Sequence, residues 1–472
     1  MSGQSSRSAV KYLVIHIQLF LQVGFLASAP AASRDVKEQP ASQWSHATEI
    51  LERIRVPKFP VHAFVITDFG AVGDGKSNST IAITKAIEAC HKAGGKVVVP
   101  EGEFLTGPIH LQSNVELHLD RDATLKFTTD PKAYLSVAFT RFEGMECYNY
   151  SPLIYAFEQE NVAVTGDGTL DGQASDENWW QWKGGRGARE GGPNQKAARD
   201  RLGKMVDENV PVEQRQFGEG SFLRPSFVEF NRCRNVLIQG VRIRRSPMWE
   251  LHPLLCTNVI VRGVNIDSHG PNNDGCDPES CRDVLIEDCV FDTGDDCIAI
   301  KSGRNNDGRR VGLPSENIVI RHCTMKDGHG GVVIGSEISG GCRNVFVEDC
   351  AMDSPNLERV LRLKSNAVRG GVIENIFVRN ITVGQVKDAV LQVDFVYEEG
   401  AKGPHKPAAR NIVMEKITVE HTPRVLNVVG FPGAEITGVR ICDSTFNDVK
   451  KDDLVTEADV KLVNCAVSQA SK

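Results

Sequence analysis

Short aliphatic runs recur along the chain, each opened by Asn or Asp. They are Asn161-Val-Ala-Val164, Asn235-Val-Leu-Ile238, Asn258-Val-Ile-Val261, Asp283-Val-Leu-Ile286, Asn317-Ile-Val-Ile320, Asn344-Val-Phe-Val347, Asn375-Ile-Phe-Val378 and Asn411-Ile-Val-Met414. From Asn235 onward the starts lie 23 to 36 residues apart, and a second small apolar pair such as Val290-Phe291 or Thr324-Met325 follows each run. β-branched strands bounded by turn residues at this period leave no room for a long helix. They predict an all-β fold, a parallel β-helix in which each repeat is one coil. An ordinary α/β fold would need helical periodicity between its strands, and a propeller would repeat every ~40 residues or more with four strands per blade.

One amphipathic helix precedes the repeats. Thr80-Ile-Ala-Ile-Thr-Lys-Ala-Ile-Glu-Ala-Cys-His91 follows the capping pair Asn78-Ser79 and stops at Gly94-Gly95. It is expected to close the open end of the solenoid, where bare strand edges are a liability. Residues 173–220 break the pattern: they are charged, Gly-rich and contain Trp179-Trp-Gln-Trp182. They read as a long excursion from a single domain spanning 63–468, with core packing and sugar stacking both open for the tryptophans. Residues 1–31 read as a signal peptide, with Arg7 and Lys11, an apolar stretch Tyr12–Leu26, and Ala29-Pro-Ala31 as cleavage site. Residues 32–62 form a lead-in. The mature protein is therefore expected to be secreted or periplasmic, with no membrane segment.

Composition narrows the function. The net charge of −7 argues against a general nucleic-acid binder, and a polyanionic partner would need local basic groups in an acidic body. The 13 cysteines are an odd number, so at least one thiol is free. Cys289, Cys323 and Cys350 recur at one repeat position and lack the clustered spacing of zinc ligands. They read as small core residues. No metal or other cofactor is expected.

Aligning the second strand of each repeat on its terminal serine locates candidate chemistry. The segments end at Ser280, Ser302, Ser336 and Ser365, and six residues before each stand Asp274, Asp296, Gly330 and Arg359. One residue earlier stand Asp295 and His329. Neighbouring coils are about 4.8 Å apart, so Asp274 and Asp296 are expected one above the other with Asp295 beside them. His329 is expected one coil along, and Arg362 and Lys364 one coil further. Three carboxyl groups this close oppose joint ionisation, so at least one should be raised. A raised carboxyl can give a proton while an ionised neighbour accepts one, the division of labour that glycoside hydrolysis needs. Turn capping or a calcium site would account for Asp295-Asp296 alone, but not for the aligned His, Arg and Lys.

Asn272-Asn-Asp-Gly275, Thr293-Gly-Asp-Asp296, Gly328-His-Gly330 and Arg362-Leu-Lys364, in this order, resemble the four signature motifs of the polygalacturonase family of glycoside hydrolases. The resemblance runs from about Val65 to the C-terminal strands. It implies a right-handed parallel β-helix that hydrolyses α-1,4-galacturonosyl bonds in pectin with inversion. It also implies Asp295 as general acid, Asp274 and Asp296 as holders and bases of the attacking water, and His329 as tuner of the acid. Arg362 and Lys364 would bind the galacturonate carboxylate. Asn273 departs from the family's usual Thr, with little consequence expected. Met248-Trp-Glu-Leu-His252-Pro, Asp277-Pro-Glu-Ser280 and the basic run from Lys301 to Arg310 resemble the exo-acting bacterial-type branch. On that basis Asn272, Lys301 and His252 join the substrate-binding set, and the excursion at 173–220 would wall off one end of the cleft. The expected partner is an acidic polysaccharide, met by a monomer. Competing readings are a rhamnogalacturonan or xylogalacturonan hydrolase, a pectate lyase, and a non-catalytic polysaccharide-binding β-helix.

Overall fold

The computed structural model describes residues 41–184 and 191–470, and the signal-peptide segment 1–31 lies outside the described residues. The residues discussed below belong to one compact unit, Gln43–Lys472. The chain forms a right-handed parallel β-helix. Every aliphatic run is a strand paired in parallel with the same run of the next coil: Val236 faces Val259, Val259 faces Val284, and Val284 faces Ile318.

The residue that opens each run has a physical reason to be Asn or Asp. Asn161, Asn235, Asn258, Asp283, Asn317, Asn344, Asn375 and Asn411 all adopt φ between 54° and 60°, a left-handed conformation that these side chains tolerate best after glycine. Their amides then form a ladder from coil to coil. Asn235 Nδ2 donates to Asn161 Oδ1 at 2.9 Å, Asn258 to Asn235 at 2.8 Å, and Asn411 to Asn375 at 2.8 Å. Asp283 has no amide to donate, and the ladder breaks there. At the break Asn258 Oδ1 instead accepts from the Arg55 backbone N–H at 2.9 Å, and Asp283 pairs with Arg53 at 2.9 Å.

Arg53 ends an element that the sequence pattern did not reveal, and Arg55 follows it. The lead-in holds helix α1 (Ala41–Arg53). Ala47, Ile50 and Ile54 pack on the outward-facing third residue of each run, including Leu237, Ile260, Leu285, Val319 and Phe346. The strands are thus buried on both faces, which explains why consecutive positions in each run are aliphatic. The expected end helix, α2 (Thr80–Ala93), is present. Asn78 Oδ1 accepts from the Thr80 N–H at 2.9 Å, and Ile83, Ala86, Ile87 and Cys90 enter the main core.

The cysteines are all free thiols. Cys289, Cys323 and Cys350 are buried in one core stack, as expected, and Cys233, Cys256 and Cys281 share that core. The described parts of the excursion, 173–184 and 191–220, are built rather than unstructured. Trp179 and Trp182 pack edge to face at 4.6 Å, with Tyr134 and Phe222 against them, and helix α3 (Lys196–Asp207) follows. These tryptophans are core residues. No helix among the described residues is long and apolar enough to cross a membrane.

Candidate active site

The register of the coils builds the site. Leu251, Cys276 and Ile298 are bridged in parallel, and Ile298 pairs with Val332 and Val332 with Leu361. Asp274, Asp296, Gly330 and Arg359 therefore occupy equivalent places on successive coils, as do Ser280, Ser302, Ser336 and Ser365. Between Asp274 and Ser280 the sheet holds through single bridges only, because Pro278 lacks an N–H to donate. Gly294 lets the next coil approach: a Cβ there would lie 2.4 Å from the Gly270 carbonyl oxygen. That close approach delivers Asp295 to the same opening.

A cleft of about 560 Å³ lies over these positions. It is lined by Asn272, Asp274, Asp295, Asp296, Lys301, His329, Arg362 and Lys364, so eight of the nine expected site residues converge. His252 does not reach it. It is fully buried between Glu279, 2.9 Å from Nε2, and Glu229, 3.3 Å from Nδ1. Burial lowers its pKa, but the two carboxylates outweigh this and hold the imidazole at about 9. It belongs to a buried charged network on the outer face of the coil, where Thr140 and Arg141 bond the same two glutamates, and it does not bind substrate from the cleft as expected.

Each carboxyl group has a different environment. Asp295 is bonded to His329 Nδ1 at 2.8 Å, with Asn272 Nδ2 at 3.4 Å from its other oxygen. Asp296 Oδ2 accepts from Lys364 Nζ at 2.7 Å, with Arg362 3.9 Å from Oδ1. Asp274 Oδ2 lies 3.5 Å from Lys301 Nζ, which is also 3.3 Å from Asp277 and 3.5 Å from Glu337. Asp274 Oδ1 and Asp296 Oδ1 are buried and carry no hydrogen bond from the protein's described residues. Both residues line the cleft, and in each it is the other oxygen, Oδ2, that a lysine holds.

The electrostatics divide the trio, though not as the sequence suggested. Burial and the charge of Asp295 push Asp274 up to about 7. Burial also raises Asp295, but the hydrogen bond and charge of His329, with Lys364 and Lys301, bring it down to about 2. The raised carboxyl is thus Asp274, not the residue expected to act as acid. His329 is raised to about 9, first by its bond to Asp295, so the imidazole is protonated at neutral pH. Ligand atoms of Asp295, Asp296 and His329 lie within 4.8 Å of one another, close enough for a cation, but Lys364 already supplies positive charge there.

The structure adds lining residues beyond the expected set: Trp249, under the Lys301 ammonium at 4.6 Å, and Arg304 come from motifs already noted, whereas Tyr397, beside Arg362 and Lys364, and Glu143, Lys183 and Arg199 lie outside every motif. Lys183 and Arg199 come from the excursion, and Glu143 from the tip of the hairpin Ala138–Asn149.

The sequence pattern of Glycosyl hydrolases family 28 matches residues 218–450, and that of Rhamnogalacturonase A/epimerase, pectate lyase-like, matches residues 63–133. A Vitis vinifera protein named "Probable polygalacturonase" is 30% identical over 402 residues, covering 82% of this chain and 74% of that protein. The chain belongs to glycosyl hydrolases family 28. An exo-poly-alpha-D-galacturonosidase from Dickeya chrysanthemi is 28% identical over 405 residues, with 79% of this chain and 64% of that protein covered. Among solved structures, a hyperthermoactive exopolygalacturonase from Thermotoga maritima superposes with a TM-score of 0.87 at 46% identity, covering 90% of this chain and 95% of that one.

For this family-28 chain, Asn273 is more than a tolerated substitute. It is fully buried, and its amide oxygen accepts from Ser268 Oγ and the Gly270 N–H, both at 2.8 Å. Its Nδ2 donates to the carbonyls of Ser246 at 3.2 Å and Met248 at 2.9 Å. Threonine could not reproduce this set, so the turn that carries Asp274 depends on the amide. The turn is held from outside as well. Arg224 donates to Asn272 Oδ1 at 2.7 Å and to the Pro271 carbonyl at 2.6 Å.

Proposed function

We propose that the protein hydrolyses α-1,4-galacturonosyl bonds of polygalacturonate with inversion, removing units from the non-reducing chain end. The observation that carries this reading is the pair of unbonded carboxylate oxygens on Asp274 and Asp296, beside a third carboxylate that is hydrogen-bonded to a protonated histidine. Arg362 and Lys364 would grip a galacturonate carboxylate, with arginine offering a bidentate fork. Two groups support action at a chain end. The excursion and the hairpin contribute Lys183, Arg199 and Glu143 to the cleft lining, and the Thermotoga maritima and Dickeya chrysanthemi relatives carry exo-acting names. The leader-like N-terminus supports export to the compartment where pectin is met.

In this mechanism His329 Nδ1 passes its proton to Asp295, 2.8 Å away, and Asp295 passes it to the leaving glycosidic oxygen as the C1–O bond breaks. Water held by Asp274 and Asp296 attacks C1 from the opposite face. Its proton goes to Asp296 Oδ1, the oxygen not tied to Lys364. Half-exposed His329 takes a fresh proton from solvent while Asp296 returns its own. Oxygens of Asp295 and Asp296 lie within 4.8 Å of each other, nearer than the about 6.5–9.5 Å usual between acid and base in inverting enzymes, so the anomeric form of the product is the decisive observation. Below pH 7 Asp274 is protonated, which spares the polyanionic substrate a third negative charge.

Product analysis on polygalacturonate tests the reading as a whole. Early release of one short product with slow loss of viscosity is expected, and an early ladder of mixed oligomers would contradict chain-end action. Asp295→Asn should lower kcat by about 10³-fold or more while the thermal unfolding midpoint holds, since loss of the proton donor alone costs about 10²–10⁴. Retained turnover would remove Asp295 from that role. The pH profile carries a further expectation: kcat/KM falls as pH rises through about 7, where Asp274 ionises. Asp274→Asn should erase that limb at a reduced rate, and a wild-type profile flat from pH 6 to 8 would contradict it.

A further inference from the structure

A second cavity of about 390 Å³ adjoins the cleft, lined by Met145, Lys204, Asp207, Asn305 and Glu399 among others. The two cavities share two lining residues, Arg199 and Arg304. Both guanidinium groups are held by one carboxylate oxygen: Glu143 Oε2 accepts from Arg199 Nε at 2.6 Å and from Arg304 Nη1 at 3.0 Å. The three residues come from three segments. Arg199 is on α3, Glu143 is at the hairpin tip, and Arg304 directly precedes helix α4 (Asn305–Val311).

This bridge is anchored in ways that a surface ion pair is not. Glu143 and Arg304 keep only 7% and 11% side-chain exposure. Gly144 has φ +80°, and a Cβ on it would lie 2.7 Å from the Arg304 nitrogen. Its carbonyl accepts from that same N–H at 3.0 Å. Arg304 also lies within 3.6 Å of Glu337, Glu398 and Glu399, so its direction is fixed. Arg199 keeps 33% exposure and, among the described residues, pairs with Glu143 only; of the three it can be removed with least disturbance.

We propose that the Glu143–Arg199–Arg304 bridge is the stop against which the polymer end seats, and that it thereby sets the length of the product released. The proposal rests on the chain-end reading above. A polyanion threading past Asp295 meets cationic groups here, which suit a terminal galacturonate carboxylate, and the bridge stands where the next sugar would go. With the bridge opened, the adjoining cavity becomes room for one more unit; its lining carries Lys204 and Arg304 beside Asp200, Asp207 and Glu399.

The test compares products from a defined hexagalacturonate for the wild type, Arg199→Ala, Arg199→Lys and Glu143→Gln. The wild type should release one short product. Arg199→Ala should raise the ratio of the next longer product to that one by about tenfold, the scale on which one charged contact discriminates. Glu143→Gln, which keeps the shape and loses the charge, should shift the ratio the same way and serves if Arg199→Ala does not fold. Arg199→Lys should restore the wild-type ratio. A wild-type-like ratio in both Arg199→Ala and Glu143→Gln, with only KM altered, overturns the stop and leaves the chain-end reading standing. Mixed internal products from the wild type itself would overturn both.

Discussion

Stacking of equivalent positions on successive coils is the constraint on which the rest of this structure depends. Backbone hydrogen bonding fixes the repeat at about 4.8 Å, and in-register parallel pairing turns equal places in sequence into neighbours in space. Asp274 above Asp296, and Lys301 two coils from Lys364, follow from that pairing alone. The same rule produces the asparagine ladder on the opposite side and the stacked thiols inside. A slip of one residue in any coil would turn its aspartate away from the cleft.

Stacking acids on a dry surface is costly unless positive charge is stacked with them. Here Lys301 reaches Asp274, Asp277 and Glu337, and Lys364 reaches Asp296. Glu337 is held below the usual carboxylate range: burial opposes this, and Lys301, Arg369 and Arg304 outweigh it. Asp274 receives less compensation and keeps its proton to about 7. The site thus separates one neutral carboxyl from two paired ones through unequal access to three cations, and not through differences in the carboxyl groups themselves.

Much of this was legible in the sequence because a solenoid converts spacing into position. Asp274, Asp296, His329, Arg362 and Lys364 stand where the serine alignment puts them, since each is a residue paired between coils or lies within three residues of one. What the alignment missed arrives by tertiary folding of segments outside the repeat. Glu143, Lys183 and Arg199 reach the cleft from a hairpin and an excursion whose residues have no register with the coils. Helix α1 left a faint signal, Trp44, Ala47, Ile50 and Ile54 at helical spacing, overshadowed by its position before the repeats. His252 shares the outward-facing strand position of Arg362, but Thr140 and Arg141 of the hairpin cover its Glu229 and Glu279 partners and close it off from the cleft. The raised pKa went to Asp274 rather than Asp295 because His329, visible in sequence as a neighbour, bonds to Asp295 directly.

The central claim is that Asp274 and Asp296 present water to one face of the sugar while Asp295 protonates the opposite side. Proton NMR of the first product formed from an α-linked oligogalacturonate tests this most directly, because the anomeric signal is read before mutarotation mixes the forms. With water attacking opposite the leaving group, the new reducing end appears first as the β anomer. Appearance of the α anomer first would mean a carboxylate, not water, attacks C1, and would contradict it.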